Sequence, residues 1–210
     1  MNEEMAKGKD SMANQFNIFY SWQSDLPGNR TRWFLQKCID EAVSLCKGSM
    51  EVVADRDTKG KTGSPDIVRS IFSKIDACDL FIADVSIVNK YTALDVNEEK
   101  TVKYSPNPNV LIELGYAVKV LGWDRVICFI NTDYGQAGEL PFDLDHHRVT
   151  GYSLEQCGKA HPRTEVEKEL RDIFSDSMEK RSWMLKGLPG FSQDDGYRDC
   201  SLGNFSNERK

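Results

Sequence analysis

Apolar residues along this chain fall into short blocks whose spacing switches between two periods, and the switching predicts strands alternating with helices. Residues 15–21 (Gln-Phe-Asn-Ile-Phe-Tyr-Ser) read as a first strand. Phe34, Cys38, Ala42 and Leu45 then recur at helical spacing and predict a helix over about 29–47. A short strand follows at 50–54. Ser64-Pro65-Asp66 supplies a cap, a first-turn proline and an acid, and opens a helix that runs to about 75. Residues 79–85 are almost continuously apolar, the pattern of a strand buried on both faces. Further on, Asn107 or Asn109 caps a helix that tolerates Pro108 only near its start, with Val110, Leu114, Ala117, Val118 and Leu121 as its core stripe. Strands are predicted at 125–130 and 148–152. Thr164-Glu165-Val166-Glu167 reads as a capping box that opens a long amphipathic helix to about 185, with Val166, Leu170, Ile173 and Phe174 facing inward. The alternation predicts an α/β fold: a parallel sheet of about five strands, helices on both faces, and a long C-terminal helix.

Composition narrows the picture. A chain of 210 residues, 40% hydrophobic, supports one core. The expected organisation is a disordered segment at 1–14, one domain at 15–186 and a flexible tail at 187–210. Between the third strand and the helix after Pro108 lies a polar insertion, 86–106, longer than a connection needs; it reads as a functional loop or a disordered one. A net charge of -6, with Lys and Arg dispersed, argues against a duplex nucleic acid partner. The six cysteines form no C-x-x-C pair and several sit in apolar runs, so they read as reduced packing residues. No apolar stretch reaches membrane-spanning length, and residues 1–14 lack the apolar centre of a signal peptide. The expectation is a soluble cytoplasmic protein with no membrane partner.

The chemistry is expected at the carboxyl ends of the strands, where open parallel sheets bind ligands. Ser21, Trp22, Gln23, Ser24 and Asp25 follow the first strand, Asp55, Arg56 and Asp57 follow the second, and Asp84 ends the third. Glu113 is the one acid on an otherwise apolar helix, and Asn109, Glu113 and Tyr116 share a face of it separate from the core stripe. A capping or salt-bridged role competes with a functional one for Glu113. Arg30 and Arg32 stand where a helix opens, a position that suits a bound anion or simply two solvated side chains. Gly60-Lys61-Thr62 is not a P-loop, because Asp55 occupies the place of the glycine that motif requires. His146-His147 beside Asp143 and Asp145 lacks the spacing of a dedicated metal site.

Ile18-Phe19-Tyr20-Ser21-Trp22-Gln23-Ser24-Asp25 resembles the first strand and loop of Toll/interleukin-1 receptor (TIR) domains. Ala83-Asp84-Val85-Ser86 and Pro108-Asn109-Val110-Leu111-Ile112-Glu113-Leu114-Gly115-Tyr116-Ala117 are similar to the active-site signature of nucleoside 2-deoxyribosyltransferases. The combination resembles most the bacterial TIR-like proteins described as predicted nucleotide-binding proteins and found in anti-phage defence. The resemblance implies a flavodoxin-like, TIR-like fold and a hydrolase that releases nicotinamide from NAD, with NAD as substrate and no cofactor.

On that reading Glu113 is the catalytic carboxylate. It would stabilise or attack the positive charge that develops on the ribose carbon. Ser21, Trp22, Asp84 and Asn109 would shape the ribose site, Asp25 and Tyr116 would also bind substrate, and Arg30 or Arg56 would lie near phosphate. A neutral nucleoside would also need an acid to protonate its base, for which Asp84 is the candidate. The alternatives are a nucleoside or nucleotide N-glycosidase or 2-deoxyribosyltransferase, and a non-enzymatic nucleotide sensor or TIR assembly module. The resemblance further implies homo-oligomers on activation, with the glycine- and lysine-containing loop 55–64 as the contact.

Overall fold

The computed structural model describes residues 15–46, 51–55, 67–94, 96–158 and 162–185. Five parallel strands form its central sheet: β1 (Gln15–Ser21), β2 (Glu51–Asp55), β3 (Leu80–Asp84), β6 (Val126–Asn131) and β7 (Val149–Tyr152), in the order β2-β1-β3-β6-β7. That order, outward from β1 to β2 and back across to β3, is flavodoxin-like, as expected. This puts the topological switch point between β1 and β3.

Alternation along the strands builds two cores, one on each face. Phe16, Ile18 and Tyr20 of β1, with Leu80, Ile82 and Phe129, pack against α1 (Arg32–Cys46) and α5 (Arg163–Leu185). Phe129 meets Phe174 of α5 in a tilted contact at 4.7 Å, and Phe34 of α1 lies 5.4 Å from Tyr152. Phe19, Phe81, Ala83, Cys128 and Ile130 face the other way, toward α2 (Ile67–Asp76) and α3 (Pro108–Leu121). On α3 the buried stripe is Val110, Leu114, Ala117 and Leu121, as the spacing predicted, with Val118 half-buried beside it. Cys38, Cys46, Cys78 and Cys128 are unpaired and buried in these cores, and burial pushes the Cys38, Cys78 and Cys128 thiols up to about 12. No described helix is long and apolar enough to cross a membrane.

The segment 86–106 is neither loop nor disorder. It forms an antiparallel hairpin of β4 (Ile87–Leu94) and β5 (Lys100–Pro106), separate from the main sheet. Tyr91, Leu94 and Val102 stay exposed on it, so the ribbon buries little and lacks the period-2 hydrophobicity that announces a strand. Its function in the fold is local. Pro106 ends β5 directly before Asn107, whose Oδ1 accepts from the Asn109 and Val110 amides and caps α3. The expected cap Ser64-Pro65-Asp66, the loop 56–64 with Arg56, and the terminal segments 1–14 and 187–210 lie outside the described residues. His147 stacks on Trp123 and His146 packs edge-on to Phe142, and no cluster of metal-ligating side chains occurs among the described residues.

Replacing Phe129 by Ala removes a fully buried ring at the junction of sheet and α5 and should cost about 3–5 kcal/mol. Tyr91→Ser on the exposed ribbon should change stability by less than about 0.5 kcal/mol. Urea unfolding of the two variants beside the parent checks both.

Candidate active site at the carboxyl edge of the sheet

Ser21 is the last residue of β1, and its parity directs it to the α2/α3 face. Glu113 lies on the second turn of α3, in register with Asn109 one turn earlier. The two elements meet so that Ser21 Oγ donates to Glu113 Oε2 at 2.5 Å. Around this pair is a cleft of about 240 Å³ lined by Tyr20, Ser21, Trp22, Gln23, Ser24, Asn107, Asn109 and Glu113, with Phe19 and Ile71 closing its apolar side. Burial lifts the Glu113 carboxyl above its usual range, and the Ser21 hydrogen bond draws it part of the way back.

Asp84 does not line this cleft. It ends β3 with the opposite parity and is fully buried on the α1 side. Its Oδ1 accepts from the Ser86 amide at 3.1 Å and the Ser86 hydroxyl at 2.5 Å, and Gln23 Nε2 donates to Oδ2 at 3.4 Å. Desolvation raises the Asp84 carboxyl, and these donors oppose the rise. Gln23, itself buried, extends the network, because its Oε1 accepts from the amides of Asp25 (2.6 Å) and Leu26 (3.0 Å). Asp25 in turn accepts from Asn107 Nδ2 at 2.5 Å, which links the first loop to the α3 cap. On the other flank, Ser86 Oγ accepts from the Asn131 amide, and Asn131 Nδ2 and the Tyr152 hydroxyl both donate to the Arg30 carbonyl at 3.0 Å.

Of the residues singled out in the sequence, Ser21, Trp22, Asn109 and Glu113 therefore converge on the cleft, and Asp25 stands behind it. Three others go elsewhere. Tyr116 stacks on Phe72 at 4.5 Å and donates to Asp76 at 2.7 Å, because two turns of α3 carry it to the α2 contact. Arg30 is paired with Glu155 in the loop after β7, and Arg32 lies over the Trp22 ring at 3.1 Å. Arg56 lies outside the described residues. Gln23, placed among the polar groups after β1, and Asn107, expected as a cap, hold the edge together with Ser86 and Asn131, to which no role was given, since a neutral polar residue carries no sequence signal until its burial is known.

No protein-family model matches the chain, and no curated protein matches it. Among solved structures it is similar to a diflavin flavoprotein A3 from Nostoc sp., at 11% identity over 83% of this chain and 98% of that one, with a TM-score of 0.41. It is similar to FerB, a flavoenzyme NAD(P)H:(acceptor) oxidoreductase from Paracoccus denitrificans, at 15% identity over 80% and 98%, with a TM-score of 0.37. RosB bound to 8-demethyl-8-formylriboflavin-5'-phosphate matches at 12% identity over 94% and 95%, with a TM-score of 0.40. The likeness is one of fold.

All three descriptions name a flavoprotein or a flavin derivative, and none names a glycosidase or a TIR protein. That finding overturns the expectation of a TIR-type NAD glycohydrolase in anti-phage defence. Its N-glycosidase, deoxyribosyltransferase and sensor alternatives are set aside with it, as is the expectation of a site that uses no cofactor.

Glu113 makes the site sensitive to pH. An unfolded glutamate titrates near about 4.3, and the folded carboxyl titrates higher. Between those two values the folded state binds more protons, so this group's contribution to stability falls as pH rises through the window. Glu113→Gln should therefore melt above the parent at neutral pH, and the difference should vanish below about pH 4. Thermal melts of both proteins across pH read the crossover directly.

Proposed function

We propose that the Ser21–Glu113 cleft is the active site of an enzyme that acts on a small polar molecule by general acid–base catalysis, with Glu113 as the proton-transferring group. The observation that carries this reading is the Ser21–Glu113 pair itself: a carboxyl raised by burial, held by one hydroxyl, at the mouth of a cleft beside the switch point. Carboxyls raised toward neutrality serve as acids and bases because they hold and release a proton near working pH. Ser21 orients Glu113 and keeps one oxygen engaged. Asn109 and Ser24 offer neutral donors and acceptors to a ligand, and Trp22 offers a flat apolar face.

Flavin, the group named in the descriptions of the structurally similar proteins, fits this edge poorly. The cleft is smaller than the ~300–1,000 Å³ typical of sites for drug-sized ligands. Its one charged group among the described residues is the acid Glu113, and no described cation lines it to meet a flavin phosphate. No step of the proposed chemistry runs through a flavin.

The test is to incubate the purified protein and its Glu113→Gln variant with a small-molecule cell extract and follow consumption and product formation by mass spectrometry. A metabolite converted by the parent and turned over about 10²–10⁴-fold more slowly by the variant supports the assignment. Equal turnover by both proteins, or none by the parent, would remove it.

A further inference from the structure

Doubly wound sheets of this class take a ligand's phosphate on backbone amides of the first βα turn and on the start of the following helix. In this chain five of those amides already have partners. The Asp25 and Leu26 amides donate to Gln23 Oε1, those of Arg30 and Thr31 donate to the Pro27 carbonyl at 2.9 and 3.2 Å, and that of Trp33 donates to the Gly28 carbonyl at 2.7 Å. Trp33 also lies so close to Gly28 that a Cβ there would meet its ring at 2.9 Å, so the ring packs directly on the turn. The two arginines that could draw an anion to the turn are engaged, Arg30 by Glu155 and Arg32 over Trp22.

Gln23 is the member of this set with no local reason to be where it is. The other internal acceptors are backbone carbonyls in turn geometry, whereas Gln23 is a side chain, 2% exposed, folded back under its own loop. It is held there from behind by Asp84, which accepts from its Nε2. A buried carboxylate requires donors, and an amide side chain that serves it with its nitrogen must present its oxygen elsewhere. The oxygen goes to two adjacent amides, which is the hydrogen-bonding role of an anion's oxygen.

We propose that Gln23, locked by Asp84, is an internal stand-in for an anion on the first βα turn and a specificity determinant that closes the Asp25 and Leu26 amides of that turn to a ligand's phosphate. Whatever the Ser21–Glu113 cleft accepts, its ligand is not anchored by phosphate on those two amides. The inference does not depend on Glu113 transferring a proton, because its readouts are amide signals rather than turnover, and either reading can fail alone.

The experiment uses the full ¹⁵N-labelled chain, inorganic phosphate as the probe, and two variants. In the parent, the Asp25 and Leu26 amide resonances should show no saturable response to phosphate. In Gln23→Ala, which frees the amides and opens space beside them, the same two resonances should respond saturably, with phosphate bound at least about tenfold more tightly than in the parent. Gln23→Met fills the space but lacks the acceptor oxygen. In it the Asp25 and Leu26 amides should exchange with solvent at least about tenfold faster while β3 amides keep their protection. Phosphate binding by the parent at Asp25 and Leu26 would overturn the inference. So would a folded Gln23→Ala protein that ignores phosphate, and if that variant does not fold, unchanged amide exchange in Gln23→Met would overturn it.

Discussion

The polar architecture of this protein is organised by one carboxyl with no access to water. Asp84 ends the central strand β3, and leaving a charge unpaired at that depth costs several kcal/mol. Three donors surround it, from the Ser86 amide, the Ser86 hydroxyl and Gln23, and each is used twice or is tied to something else. Ser86 passes the constraint to Asn131 at the end of β6, and Asn131 joins Tyr152 of β7 in holding the Arg30 carbonyl. Gln23 passes it to the loop after β1, and that loop reaches the cap of α3 through Asp25 and Asn107. Four strand ends and two helix starts are thus placed relative to one buried acid.

Side-chain alternation alone keeps Asp84 itself out of the cleft, although Gln23 and Asn107 of its network line it. Ser21 and Asp84 end neighbouring strands paired in parallel, yet Ser21 follows the parity of Phe19 and Asp84 the parity of Ile82. One therefore points toward α3 and the other toward α1. An acid at the end of a strand is not evidence of an acid in the site, and here the acid that reaches the cleft comes from a helix across the switch point.

This division explains what could be read in advance. The parallel sheet, the α3 stripe and the Asn107–Pro108 start of α3 follow from periodicity and capping, which are local properties. The solitary position of Glu113 on an apolar helix is also local, and it led to the cleft. Tyr116 shares Glu113's face in a helical projection, but α2 packs over that part of the face and takes the phenol for itself. Arg30 looked available for an anion because its partner, Glu155, lies 125 residues away. The hairpin at 87–106 escaped notice for a different reason: strands that bury little have no hydrophobic rhythm, so their only mark is β-prone residues such as Val88, Tyr91, Thr92, Val102 and Tyr104.

Asp84 and Glu113 show how burial alone does not decide what a carboxyl is for. Desolvation raises both. Asp84 receives three donors, all supplied by the chain, and has no exposed surface, so no bound molecule can reach it and its place in the network is structural. Glu113 receives one hydroxyl and is only half-buried, facing a cleft whose remaining groups are neutral. Its capacity for hydrogen bonding is left unfilled on the side where a ligand would stand. A carboxyl whose titration burial has raised, and which is short of partners in that one direction, is in the condition that proton transfer to a bound molecule requires.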